Sequence, residues 1–78
     1  MRKFNKGDII KCREDSDHAI NWIDHYATVL ESQDPTFIYT IKCVNTVTKA
    51  TGKGNYNIYF IEDNFRVLSI AERVLYAE

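Results

Sequence analysis

The sequence is poor in the residues that mark several classes of protein. Among 78 residues it has three glycines, one proline and two cysteines, too few for a fibrous or low-complexity chain. It has no apolar run near the ~18 residues that a membrane helix requires. The charged segment from Met1 to Lys6 leads into Gly7 and Asp8, not into the apolar stretch of a secretory signal. We therefore expect a cytoplasmic protein that does not cross a membrane.

An excess of one charge is also lacking. Lys plus Arg number 10 and Asp plus Glu 11, which gives a formal net charge of -1. Domains that hold nucleic acid mainly through phosphate contacts are usually basic, so the balance argues against that mode. The hydrophobic fraction of 45% and the aromatic fraction of 13% are too high for a disordered chain. The chain is too short for two domains of about 100 residues, and we expect a single domain over residues 1–78.

Residues with catalytic or metal-binding chemistry form no recognisable pattern. Cys12 and Cys43 match no CxxC motif, and we expect both to be small buried residues of strands, with a disulfide or metal pair as the alternative. His18 and His25 have acidic neighbours, but the spacing is not that of a calcium loop. Gly52-Lys53-Gly54 lacks the spacing of a phosphate-binding loop. The sequence predicts no catalytic residue, no metal and no cofactor, and thus a protein that is not an enzyme.

What the chain does contain is a series of short segments in which apolar and polar residues alternate, as in half-buried strands. The predicted strands are residues 9–13, 26–31, 37–44, 56–61 and 65–68. The predicted connections are an acidic loop over 14–25, a turn over 32–35, a hairpin loop over 45–55 and a tight turn over 62–64. A short helix capped by Asp17, with Ile20, Ile23 and Ala27 at helical spacing, is the alternative within the acidic loop.

The direction of the side chains follows from the alternation. In the third strand the more apolar set is assigned to the core, namely Phe37, Tyr39, Ile41 and Cys43. In the fourth strand Ile58 and Phe60 are predicted to face inward, and Tyr59 and Ile61 to lie on the opposite side.

The last ten residues are predicted to form a short helix. Ser69 followed by Glu72 fits a capping box, and Ile70, Ala71, Val74 and Leu75 then share one face. We expect this tail, residues 70–78, to dock over an open end of the sheet, because isolated helices shorter than ~12–15 residues are marginal in water. An undocked tail would present Ile70, Val74, Leu75 and Tyr76 to a partner or a second copy. A final strand over 73–76 is the alternative.

Five short strands in so small a domain favour a strongly bent antiparallel sheet that closes into a barrel, since closure hides the strand edges. The features that carry a resemblance are Lys6-Gly7-Asp8-Ile9-Ile10, the long loop to His25, and the final segment from Tyr59 to Leu68. With them the chain resembles the small Src-homology-three-like barrels, which include Tudor and KOW-type modules, over about residues 4–69. The resemblance implies a mainly β fold and a role as a binding module. It implies no catalytic residue.

Two groups of side chains are candidates for binding. Aromatic residues dominate the contact energy of protein interfaces, and the candidates for a protein partner are Trp22, His25, Tyr26, Tyr39 and Tyr59. The competing interpretation is that Trp22 folds the acidic loop onto the core. Cations interleaved with rings are typical of nucleic-acid surfaces, and this second set is Lys42, Lys49, Lys53 and Tyr56. The competing interpretation is a solvated hairpin.

We therefore expect a non-enzymatic binding module that contacts a protein partner, of the kind found among accessory factors of bacteria or phages that modulate a host complex. A nucleic-acid-binding barrel is the first alternative. A protein that binds or sequesters a small ligand at a subunit interface is the second.

Overall fold

The protein is mainly β. A computed structural model describes residues 2–76, which form one antiparallel sheet of five strands with the spatial order β4-β3-β2-β1-β5. The strands are β1 Ile9–Cys12, β2 His25–Leu30, β3 Ile38–Asn45, β4 Thr51–Asn57 and β5 Phe65–Val67. The helices are a 3-10 helix over Ala19–Trp22, α1 over Ile58–Asn64 and α2 over Ile70–Tyr76. Residues 77–78 of the predicted tail lie outside the described residues.

Four of the five predicted strands and the tail helix are confirmed, with ends that differ by about one residue. The alternative of a short helix within the acidic loop is right only in its location. A single turn of 3-10 helix follows His18, not Asp17, and ends before Ile23, and Ala27 lies in β2. The sheet is not closed in residues 2–76, because β4 and β5 form its two edges.

The core lies on the inner face of the sheet. Alternate residues of the strands point there, and the buried cluster consists of Phe4, Ile10, Cys12, Ala27, Val29, Tyr39, Ile41, Ile61 and Phe65. The prediction for β3 is therefore right for Tyr39 and Ile41. It is wrong for Phe37, which precedes β3 and is 59% exposed.

The predicted fourth strand over residues 56–61 is wrong. The strand runs earlier, and the chain turns into α1 at Ile58 because the Asn57 side chain accepts a hydrogen bond from the Tyr59 amide at 2.8 Å. An Asn at this position satisfies an amide that the first turn of a helix leaves free. Ile61, predicted to face outward, is fully buried, since the helical period turns it toward the sheet. The predicted tight turn over 62–64 is the last turn of α1.

The predicted hairpin loop over 45–55 is also too long, because β4 begins at Thr51. Gly52 and Gly54 lie on the inner face of β4, opposite Cys43 and Ile41. A Cβ atom on Gly54 would lie 2.9 Å from Cε1 of the Tyr56 ring. The glycine therefore lets that ring fold back over its own strand.

The N-terminal segment is fastened beneath the sheet by one buried tyrosine. The Tyr39 hydroxyl donates to a Glu62 carboxylate oxygen at 2.7 Å and accepts from the Phe4 amide at 3.1 Å. The same carboxylate accepts from the Lys3 amide at 2.9 Å. These bonds hold Phe4 in the core, and the Lys3 amide and the Tyr39 hydroxyl lower the pKa of Glu62.

Helix α2 lies against the outer side of the sheet with the opposite face from the one predicted. Glu72 binds Arg66 of β5, and the Tyr76 ring stacks on Tyr26 of β2 at 5.0 Å. The predicted docking face is instead exposed: Ile70 by 83%, Val74 by 74% and Leu75 by 69%. An ion pair and a ring stack, not apolar burial, thus decide which side of the helix meets the sheet.

Candidate functional site

The predicted contact residues separate into core and surface. Tyr39 is fully buried and has no surface to offer a partner, so its assignment as a contact residue is wrong. It belongs to the core because its position in the alternation of β3 points inward, and its hydroxyl is satisfied there. Burial raises the pKa of this phenol. Tyr59 lies on the outer side of α1 and is 67% exposed.

Trp22 is half-buried at the end of the 3-10 helix. Its ring meets Phe65 edge-on with 5.0 Å between centroids and Tyr56 with 5.7 Å. The Tyr56 ring in turn stacks on Phe60 of α1 at 5.9 Å. Such aromatic pairs stabilise a fold beyond the area they bury. Trp22 therefore folds the acidic loop onto the core, while part of its ring remains accessible.

His25 is held at the start of β2 by both ring nitrogens. Its Nδ1 lies 2.8 Å from the carbonyl of Ile23, and its Nε2 lies 3.4 Å from Nδ2 of Asn45. The carbonyl can only accept, so Nδ1 carries the proton and Nε2 accepts from the amide. This arrangement uses His25 as a structural hydrogen-bonding residue.

Tyr26 lies on the outer face of β2 and lines a surface cavity of about 530 Å³. We call it the tyrosine pocket. Its lining residues are Asp24, Tyr26, Val44, Thr46, Lys49, Leu75 and Tyr76. Tyr26, Val44 and Leu75 supply apolar and aromatic walls, and Asp24 and Lys49 supply one charge of each sign.

The polar side of the tyrosine pocket has an unusual backbone. Asp24 has a φ of +63° and Lys49 a φ of +67°, a region that residues other than glycine seldom adopt. The Asp24 carbonyl accepts from both the amide and the hydroxyl of Thr46, at 2.7 and 3.1 Å. These bonds tie the start of β2 to the β3–β4 turn. Left-handed residues that the surrounding structure holds in place are found preferentially at binding sites.

A network of ion pairs fixes α2 beside this pocket. The Arg66 guanidinium binds the carboxylates of Glu14 and Glu72, with shortest distances of 2.7 Å to each. The hydrogen bonds from Arg66 lower the pKa of Glu72 to about 2 and also lower that of Glu14. Glu72 accepts from the Ser69 amide, and Ser69 Oγ accepts from the Glu72 amide. The predicted capping box is therefore confirmed.

A second, more apolar groove of about 360 Å³ lies beside the 3-10 helix. We call it the Trp22 groove. Its floor and walls are Ala19, Ile20, Trp22 and Ile23 with Cys12, and Lys11 and Glu14 lie at its rim. Ile20 is 78% and Ile23 64% exposed.

The predicted nucleic-acid residues do not share one face. Lys42 and Lys53 are directly opposite each other on the outer face of β3 and β4. Tyr56 points to the inner face, where it packs against Trp22, and Lys49 lies in the β3–β4 turn. Within residues 2–76 none of the three lysines forms an ion pair. The lysines thus form a small basic surface without the ring that was expected to stack on a base.

The two cysteines are free, Cys12 buried and Cys43 half-buried. Burial raises the pKa of both thiols. The part of the chain that the structure describes contains no group of three His, Cys, Asp or Glu side chains placed to hold a metal ion. None of the helices in that part is long and apolar enough to span a bilayer.

Comparison with models of protein families, with curated proteins and with solved structures gives no match. The features of this chain that offer a binding surface are the tyrosine pocket, the Trp22 groove and the exposed lysines.

Proposed function

We propose that the chain is a non-enzymatic binding module whose tyrosine pocket holds a segment of a protein partner. We infer further that this open sheet is a variant of the small Src-homology-three-like barrel. Helix α1 runs directly from edge strand β4 to edge strand β5 and buries Ile61 against the inner face. This position supports a bent sheet that wraps around its core. The small size of the chain fits an accessory factor that modulates a host complex in the cytoplasm.

The observation that carries the proposal is that the stacked rings of Tyr26 and Tyr76 line the tyrosine pocket. Tyrosine gives a large contact area at a small loss of side-chain entropy, because it has few rotatable bonds. Leu75 adds an exposed apolar contact, and the charged side chains of Asp24 and Lys49 line the pocket where they can bind polar groups of the ligand. A cavity of about 530 Å³ is within the range of pockets that bind compact ligands or single peptide side chains.

The test is selection of binders from a displayed random-peptide library, followed by NMR mapping on the whole chain. We expect selected peptides to shift the amide signals of Tyr26, Val44 and Thr46, and Leu75→Asp to weaken binding at least tenfold. Phe37→Asp is the matched control, because Phe37 is similarly exposed and lies just before β3, away from the end of that strand that lines the pocket. Signals that shift elsewhere, or affinity that Leu75→Asp leaves unchanged, would contradict the proposal.

Nucleic acid is the second candidate, and the Lys42–Lys53 pair is the observation that favours it. Like charges directly opposite on a sheet repel each other, and a bound phosphate would relieve this repulsion. Lys53, however, also lines a groove with Glu31 and Asp34, whose carboxylates oppose phosphate binding. The test is titration with single- and double-stranded oligonucleotides at low salt. Binding that weakens with salt and is lost in Lys42→Gln would favour this function, and no binding at low salt would remove it.

A further inference from the structure

Two exposed surfaces with apolar side chains occur on this molecule. One is the outer side of α2, which we call the helix stripe and which consists of Ile70, Arg73 and Val74. These residues are three and four positions apart, so they form one side of a helix. The other is the Trp22 groove, in which Ile20 and Ile23 stand exposed on either side of Trp22.

The two surfaces cannot meet within one chain. Glu72 on Arg66 and Tyr76 on Tyr26 hold α2 so that the helix stripe points away from the sheet. Arg66 also binds Glu14, which lies at the rim of the Trp22 groove. Both surfaces are thus anchored to the same guanidinium and lie side by side on the molecule.

We propose that the occupant of the Trp22 groove is the helix stripe of a second copy of this chain, and that the exchange is reciprocal. A surface with a ridge beside a groove is self-complementary. When a two-fold axis relates two copies, the ridge of each copy enters the groove of the other. Ile70 and Val74, one helical turn apart, are the anchors that a helix-in-groove contact requires.

The charges around the two surfaces favour the same pairing. Arg73 is exposed in the middle of the helix stripe, whereas Asp17 and Asp24 are exposed on the loop that carries the groove. Within residues 2–76 these three side chains form no ion pair. The groove lining itself holds one cation and one anion, Lys11 and Glu14. Asp17 and Asp24, in the same loop, therefore give the surroundings of the groove a net negative charge, which steers the cation on the ridge toward it.

The first measurement is sedimentation equilibrium of the full chain between about 1 and 500 μM. Two short helices in two shallow grooves give an interface at the low end of specific ones, about 1,200 Å² in total, and we expect a dimer with a dissociation constant in the micromolar range. Val74→Asp and Ile20→Asp should each weaken dimerisation at least tenfold, and Phe37→Asp should not. Circular dichroism of each variant establishes that it remains folded. A chain that stays monomeric at 500 μM would overturn the proposal.

Mixing the two variants tests reciprocity. An Ile20→Asp chain keeps an intact helix stripe, and a Val74→Asp chain keeps an intact groove, so the mixed dimer recovers one of the two contacts. We expect the equimolar mixture to dimerise more tightly than either variant alone. If α2 instead paired with α2 of the second copy, Val74→Asp would disrupt the dimer and Ile20→Asp would not. That result, or a mixture no tighter than its components, would refute the reciprocal arrangement.

Discussion

Replacement of Tyr39 by Phe removes a single oxygen atom from the point where the N-terminal segment joins the sheet. That oxygen donates to Glu62 at 2.7 Å and accepts from the amide of Phe4 at 3.1 Å. The phenylalanine ring can keep the buried position, so the change creates no large cavity. What is lost is one hydrogen bond to a carboxylate and the acceptor of one buried amide.

The cost follows from these two losses. A hydrogen bond to a charged group contributes about 1.5–3 kcal/mol, and a buried amide without a partner costs about 1–3 kcal/mol. Glu62 is only partly buried and regains water, so we take the lower end of both figures and expect about 2–3 kcal/mol. In a domain of this size, each kcal/mol lowers the midpoint of thermal unfolding by roughly 4–8 °C. Tyr39→Phe should therefore unfold roughly 8–24 °C below the parent chain.

Urea unfolding followed by circular dichroism measures the free energy directly. The matched control is Tyr59→Phe, the same atomic change on a side chain that is 67% exposed, and it should stay within about 0.5 kcal/mol of the parent. A Tyr39→Phe variant equally close to the parent would refute the view that this hydroxyl fastens the N-terminal segment.

The acid dependence of stability provides an independent measurement of the same contact. The pKa of Glu62 is lowered in the folded chain, so the carboxylate stabilises the fold above its usual pKa of 4.5 and this contribution is lost as the pH falls further. Tyr39→Phe removes one of the two main causes of the lowered pKa. The variant should therefore lose less stability than the parent chain as the pH falls below about 4.5.

Three further perturbations test other contacts. Glu72→Gln should lower stability by about 1 kcal/mol and speed amide exchange in α2, and unchanged exchange would contradict the role of Glu72 in holding the helix. The parent chain should keep the bond between Glu72 and Arg66 until the pH approaches 2, because the pKa of Glu72 is lowered to about 2. Trp22→Ala should lower stability by roughly 2–3 kcal/mol, less than the 3–5 of a fully buried ring, and a thermal melt equal to the parent's would show that the ring is dispensable for folding. Cys12 and Cys43 should react slowly with a thiol reagent in the native chain and rapidly in urea, since burial raises both pKa values; rapid native labelling at Cys12 would contradict its burial.

The strands that the sequence predicts correctly are those in which apolar and polar residues alternate over a half-buried face, as in β1 and β3. The fourth predicted strand fails for a physical reason. The run Ile58 to Ile61 is too short for its apolar pattern to distinguish a strand from a buried helix. The one local signal was Asn57, a good N-cap residue, and its side chain does cap α1. The capping box of α2 can be predicted from the sequence, because Ser69 and Glu72 have the fixed spacing that defines this motif.

The candidate site is only partly predictable, because it depends on which side of each element meets the core. The aromatic residue type alone makes Tyr26 a candidate, but its neighbours in the tyrosine pocket come from β3, the β3–β4 turn and α2. The left-handed backbone at Asp24 and Lys49 cannot be predicted from the sequence, because these residue types adopt that conformation only occasionally. The sequence predicts the apolar face of α2 correctly, yet the direction of that face is set by Arg66, which joins Glu72 of α2 to Glu14, a residue 52 positions away in the sequence.

The pairing of β1 with β5 has a consequence for the order in which the chain folds during synthesis. Ile10 lies opposite Val67, and the Phe4 amide donates to the hydroxyl of Tyr39, which in turn donates to Glu62. β1 can therefore pair with β5, its second neighbour in the sheet, only after nearly all of the chain has been synthesised. While ribosomes are still making α1, the inner face of the β1–β3 meander is uncovered, and such exposed strands are where nascent chains aggregate or recruit chaperones. Folding dominated by these distant pairings falls at the slow end for small domains.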